Sequence, residues 1–261
     1  MVASAALLPP LDRQEAAPSR GQVLARYRRL REISKRHNAA ILKLISGGAV
    51  MRQARRLGMA AGGKIILDRI EDFYPMYDLA IYTAPADRSR AVDRYARSAQ
   101  VGPGSDEALM LDAMRNARFS VLKVQRRHPV AGLIVTDLFR DIDLWLVDEG
   151  LEISARVGQS FATRLFAPGH FVMTAGVLVP FGENMLADVV DAAPQLLRKS
   201  PEEVVGDRRF AEAVYRVALA DGMMGRVAYQ DPGDVGDSAR GGAGGSDQLG
   251  ADGPAASPHV P

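Results

Sequence analysis

GLIVTDLFRDIDLWLVDEGLE, from Gly132 to Glu152, sets six carboxylates among Leu, Ile, Val, Phe and Trp. Two readings compete: a metal or catalytic site, and the polar half of a sheet with its turns. Strand alternation places Ile134, Thr136 and Leu138 on one side and Leu133, Val135, Asp137 and Phe139 on the other. Across Arg140-Asp141 the return strand alternates Ile142, Leu144 and Leu146 with Asp143, Trp145 and Val147. Asp137 and Asp141 therefore fall near the turn, where carboxylates accept backbone N–H bonds. Asp148 and Glu149 mark the next turn. A calcium loop needs D-x-D-x-D-G, and only Asp141-Ile142-Asp143 approaches it. The stretch thus predicts two strands terminated by their acids. Trp145, the only tryptophan, is expected in the core, because burying so large a ring stabilises a small sheet.

Outward from this hairpin the β texture continues. FSVLKVQ (119–125), QSFATRLF (159–166) and HFVMTAGVLVPF (170–181) bring the strands to five, divided by HPVAG, RD, the EGLEISARVG stretch and APG. Five closely spaced short strands predict a small antiparallel β-barrel or rolled sheet over 119–181. Helices flank it. Ser105 heads DEALMLDAMRNARF with acids in the first turn and arginines in the last, a well-marked helix. Residues 71–82, 89–98, 183–192 and 201–220 also read as helical, with Pro75 awkward in the first, while KIILD (64–68) fits a strand or a helix start. Residues 1–19 and the Gly/Asp/Ser-rich 225–261 are expected to be disordered. The predicted class is α+β: a basic helical segment (20–63), a helical region (64–118), the β module, C-terminal helices (182–224) and an acidic tail.

The net charge of +2 conceals an asymmetry. Eleven of the 33 basic residues and one of the 31 acidic ones lie between Arg20 and Arg56, leaving 22 basic and 30 acidic elsewhere. On a helical wheel Tyr27, Leu30, Ile33, Ile41, Leu44 and Ile45 share one third of the circumference with His37; Arg28, Arg29, Arg31, Lys35, Arg36 and Lys43 lie opposite. Gly47-Gly48 reads as a helix stop, followed by a short helix carrying Arg52, Arg55 and Arg56. These nine cations are candidate nucleic-acid contacts, where phosphate neutralisation gives salt-sensitive affinity. The same face could lie on an anionic membrane, dock on the acidic remainder of the fold, or simply be solvated. The acidic tail (Asp231, Asp234, Asp237, Asp247, Asp252) is a candidate competitor for the same arginines.

Other chemistry is sparse. There is no cysteine, which excludes disulfides, thiolate metal sites and a Cys nucleophile. His37, His128, His170 and His259 form no metal-ligand spacing, and no cofactor or metal is expected. Gly58-Met-Ala-Ala-Gly-Gly63-Lys64 matches a phosphate-loop core formally but follows a basic helix and precedes Ile65, not Ser or Thr. Ala54-Arg-Arg-Leu-Gly58-Met59 has the offsets of a helix-turn-helix, yet Gly62-Gly63 would interrupt a recognition helix. Gly158-Gln-Ser160 lacks the second glycine of a nucleophile elbow. Glu71, Asp72 and Asp78 could pair as catalytic carboxylates; solvation or capping is the expectation. MVASAALLPP lacks a charged start and a long apolar run, and no window suits a membrane span, so the expected location is the cytoplasm.

From Asp72 to Phe181 the order YDLAIY, EALMLDAMRNARFSVLKV, GLIVTDLF, LVDEG, GQSFATRL and FVMTAGVL resembles bacterial SEC-C-motif proteins. The cysteines of that zinc motif are absent, so a metal role carried by it is absent too. The resemblance implies a small β-barrel after a helical region, with a binding or adaptor role. The expected function is a non-enzymatic, nucleic-acid-associated protein acting through the basic helix; the alternatives are a protein-interaction adaptor and, more distantly, a hydrolase with a carboxylate site.

Overall fold

The computed structural model describes residues 18–85 and 87–226, so the Ala/Pro-rich start and the acidic tail lie outside the described residues. Ser19 opens α1 (Arg20–Leu42): its hydroxyl accepts from the Gln22 amide, and the Gln22 side chain accepts from the Ser19 N–H. Val23, Tyr27, Leu30, Ser34, His37 and Ile41 follow at steps of three and four and make its buried stripe. α2 (Gly47–Arg56) begins directly after. Gly47-Gly48 is not a stop, because Ser46 caps α2 through the Ala49 amide and the glycines are its first residues. Gly62 and Gly63, with φ of 56° and 75°, then make the turn between β1 (Ala60–Ala61) and β2 (Lys64–Ile65). This hairpin occupies the place of a recognition helix or a phosphate loop.

A 3-10 turn (Ile70–Asp72) leads into α3 (Phe73–Tyr82), where Pro75 sits in the first turn and sacrifices no helical bond. α3 is apolar on nearly every side and runs through the middle of the protein. α4 (Ala91–Ser98) and α5 (Asp106–Arg115, capped by Ser105) follow. α1 crosses α3, α4 and α5, and Leu30, Ile33, Ile41, Ile81, Val92, Met110 and Met114 form their shared core.

β3 (Arg118–Arg127), β4 (Leu133–Asp137), β5 (Ile142–Leu146), β6 (Ser160–Phe166) and β7 (Met173–Pro180) form one antiparallel sheet in the order β5-β4-β3-β6-β7. All five expected strands are present, and Leu133, Val135 and Asp137 are the buried side of β4 as alternation requires. The sheet is not a closed barrel. Its edges meet only at a corner, in a single parallel bridge between Leu146 and Val172. After Val147 the chain leaves the edge as α6 (Glu149–Ser154), and Leu151 packs among Leu122, Val135, Leu146 and Leu178. EGLEISARVG, expected as turn, is thus partly helical, because the Asp148 carboxylate caps it through the Leu151 amide.

The C-terminal elements are α7 (Glu183–Ala192), a 3-10 turn (Pro194–Arg198), α8 (Pro201–Gly206), α9 (Arg208–Ala220) and a last 3-10 turn (Met223–Arg226). The single helix expected over 201–220 is broken where Asp207 caps α9 through the Arg209 amide. α2, α3, α7 and α9 cover the sheet face bearing Phe119, Val121, Ala162 and Val179. Trp145 is half-buried, not in the core: it lies on edge strand β5, stacks on His128 at 4.1 Å and donates Nε1–H to Ala131 O at 2.7 Å.

His37 sits in the α1 stripe between α4 and α5. Nε2 lies 3.0 Å from Glu107 O, which can only accept, so Nε2 carries the proton and Nδ1 accepts from the Tyr95 hydroxyl at 3.1 Å. Burial, with Arg36 nearby, holds its pKa below the ordinary 6.5 despite Glu107. Below pH 6.5 the unfolded chain therefore binds more protons than the folded one. His37 contributes its stability above that pH and loses it as the pH falls. The drop in melting temperature from about pH 7 to about pH 5 is expected to be smaller in His37→Gln, and pH-dependent thermal melts check it.

Candidate anion-binding cleft

The acids of the opening stretch meet the basic helix. Arg31, on the inner side of α1, binds Asp148 at 2.9 Å and Thr174 O at 2.5 Å, and Asp148 also accepts from the Thr174 hydroxyl. Arg28 clasps Glu149, and Arg20 reaches Glu152 at 2.6 Å. Arg26 and Arg29 share Asp106 on α5, Arg36 binds Glu107, and Lys35 binds Glu32 within α1. Of the sequence candidates on α1, Arg28, Arg29, Arg31, Lys35 and Arg36 are thus paired with carboxylates of the same chain. Lys43, Arg52 and Arg55 are exposed and make no ion pair among the described residues; Arg56 shares Glu212 with Arg208.

The remaining acids of that stretch are structural. Asp137 is buried, accepts from the Ser120 hydroxyl at 2.7 Å and caps the turn at Phe139 N. Asp141 occupies the left-handed turn position (φ 52°), and Asp143 accepts from the Thr136 hydroxyl across the strands. Among the described residues no three His, Asp or Glu group so as to hold a metal ion, and no helix is long and apolar enough to cross a membrane.

A different concentration of cations emerges from the fold. The end of α3, the start of α4, the α5–β3 junction and the α8–α9 junction enclose a cleft of about 740 Å³. Seven arginines line it (Arg88, Arg90, Arg97, Arg115, Arg118, Arg164 and Arg208) against two carboxylates, Asp93 and Asp207. Asp93 is shared by Arg90 at 2.7 Å and Arg115 at 3.6 Å. Burial alone would raise Asp93, but the two guanidiniums hold it below the ordinary carboxylate value. Arg209, foremost, and Lys199 hold Asp207 far below that value. Neither acid is suited to take a proton near neutral pH.

The floor is the unusual part. Arg164, on β6 opposite Phe119 of β3, is 5% exposed, and its Nε and Nη2 each lie 2.8 Å from an oxygen of Asp78, itself 4% exposed on α3. Burial works against the guanidinium's charge, and Asp78 more than offsets it, so Arg164 is held above its ordinary pKa. The Tyr82 and Phe119 rings lie 4.8 and 5.5 Å from the guanidinium carbon and fix its plane. Tyr215 stands beside the pair; burial first, then the charge of Asp78, raises its phenol. Asp78 is therefore neither solvated nor a cap. Glu71 is exposed, and Asp72 accepts from the Asp68 and Arg69 amides, so the three acids form no catalytic group. The sequence carried a signal for the pair: an Asp inside the otherwise apolar YPMYDLAIY and an Arg inside FATRLF each need a buried partner.

Fold and cleft together define an α+β protein with a cationic cleft beside its sheet. A family model described as a family of unknown function, DUF7986, matches residues 22–227. The chain belongs to that family. No curated protein and no solved structure matches it.

Proposed function

We propose that the protein is a non-enzymatic, cytoplasmic nucleic-acid-binding protein that holds single-stranded phosphate backbone in the arginine cleft. The observation that carries this reading is that seven arginines and two aspartates line the cleft among the described residues, the partners Asp78, Asp87, Glu202 and Glu212 lying outside the lining. The run of arginines extends beyond the cleft. Arg208 on the cleft wall and Arg56 on α2 share Glu212, and Arg52 and Arg55 are exposed on the same short helix. That path suits an extended polyanion better than one small anion. The arginines of α1 pair with Asp106, Asp148, Glu149 and Glu152, and six of the cleft arginines also have a carboxylate partner; Arg97 makes no ion pair among the described residues.

Fluorescence anisotropy with a labelled single-stranded oligonucleotide tests it. With about five phosphates neutralised, affinity is expected to fall roughly a hundredfold between about 50 and 200 mM salt. Arg97→Glu with Arg118→Glu should weaken binding at least about tenfold, and Arg28→Glu with Arg36→Glu should weaken it less. Binding indifferent to salt, or none at any salt, overturns the reading. The protein-interaction alternative would then rest on Ile66, Ile70 and Tyr74, large apolar side chains exposed by 56%, 68% and 55%.

A further inference from the structure

We propose that the floor of the cleft is a subsite for a terminal phosphate, so that the protein prefers nucleic-acid ends bearing a phosphomonoester. The inference rests on the reading of the cleft given above and adds what the ligand must present to it. A guanidinium offers donors along three edges. Asp78 takes only the Nε–Nη2 edge of Arg164, and Nη1 has no acceptor among the described residues. Arg164 is nonetheless 95% removed from solvent, since 5% of it is exposed, and it lines the cleft. Nη1 keeps contact with the cleft, because Tyr215 Oη is the one fully buried side-chain polar atom without a geometric partner among the described residues, so an acceptor that enters the cleft can reach Nη1. The cationic wall favours an anion as that acceptor.

Three features select a chain end. An internal phosphodiester would have to carry a nucleotide on either side down to a group so nearly enclosed, whereas a terminal phosphate can enter alone. A monoester near neutral pH carries close to two charges and three acceptor oxygens. Arg90 lines the same cleft, with its Nε and Nη2 on Asp93 and Nη2 also on Arg115 O, and adds its charge to the wall. The rings at the floor, Tyr82 and Phe119, are buried and turned to the guanidinium, so they offer no face on which a base could stack. The subsite therefore reads phosphate and not base. A cleft of about 740 Å³ admits a nucleotide or two and excludes a duplex.

The test compares one single-stranded oligonucleotide in 5′-phosphate, 3′-phosphate and hydroxyl-ended forms, with inorganic phosphate and a nucleoside monophosphate as competitors. One phosphorylated end is expected to bind roughly ten- to a hundredfold more tightly than the hydroxyl form, the range of charge-assisted bonds to a buried arginine. Competition by the monophosphate at concentrations where it occupies the floor supports the subsite; a free monophosphate binding as tightly as the phosphorylated strand makes a small metabolite the ligand and overturns the chain-end assignment. Arg164→Gln with Asp78→Asn keeps the floor polar and uncharged, and should bring the ratio of phosphorylated to hydroxyl affinity towards one. Should that pair fail to fold, Arg90→Gln is expected to lower the ratio in the same sense. Equal affinity of all three ends overturns this inference and leaves the wider reading standing, whereas no binding of any form removes both. A preference that survives in both variants places the phosphate elsewhere. Tighter capture of a phosphoserine peptide than of any phosphorylated strand overturns the nucleic-acid source.

Discussion

Asp78→Ala is expected to destabilise the protein by about 3–5 kcal/mol, the cost of leaving one member of a buried ion pair uncompensated. For a chain with this much ordered structure that lowers the melting temperature by roughly 6–20 °C. Both partners are almost wholly buried, with side chains 6% and 2% exposed, and the contact is bidentate. The charge left behind on Arg164 could not shed its proton, because a guanidinium stays ionised in proteins. Asp78→Leu combined with Arg164→Met removes both charges at similar volume and should recover most of the loss. Urea unfolding followed by far-ultraviolet circular dichroism measures both variants. If the single variant matched the wild type, the pair would be solvated in solution, and the subsite built on it would go too.

Gly132→Ala should be the most damaging small substitution. Gly132 has φ 77°, and a Cβ there would run into the carbonyl oxygen of Leu146, with Val147 Cα at 3.0 Å. Both obstacles are backbone, at the last residue of β5 and the one after it, and cannot rotate aside. The expected cost exceeds about 4 kcal/mol, at the far end of what single substitutions do. Gly63→Ala is the control. It has the same handedness, φ 75°, but open space around it, so only the left-handed backbone penalty of about 1–2 kcal/mol applies. Similar losses in the two variants would mean that β4 and β5 part easily at that corner.

Much of the local structure could be read from the chain because its causes are local. The Ser105 cap with acids after it gave α5, and the α1 stripe from Tyr27 to Ile41 follows three- and four-residue steps. Alternation in GLIVTDLF marked β4 and its buried side. Errors fell where a short polar side chain had two local uses. Ser46 made Gly47-Gly48 the start of a helix instead of a stop, and Asp148 and Asp207 started helices where turn or continuous helix was expected. Trp145 was placed in the core on size alone, but its strand proved to be an edge.

The cleft and the fate of the charges could not be read in the same way. Arg28 lies 121 residues from Glu149 and Arg164 lies 86 from Asp78, and no periodicity reports such distances. The sequence by itself determined the α+β class, the five strands, most of the helices, the lack of thiol chemistry and the uneven distribution of charge. Only the tertiary structure decided which charges cancel. α1 is laid against the acids of α5 and of the β5–α6 turn, and arginines from α4 and from the α3–α4, α5–β3 and α8–α9 junctions line one cleft with the buried guanidinium of Arg164. The physical reason is that an apolar stripe specifies its own element through spacing along the chain. The partner of a charge is set by where packing brings the backbone, and a screened attraction is too weak and too unspecific to announce that partner beforehand.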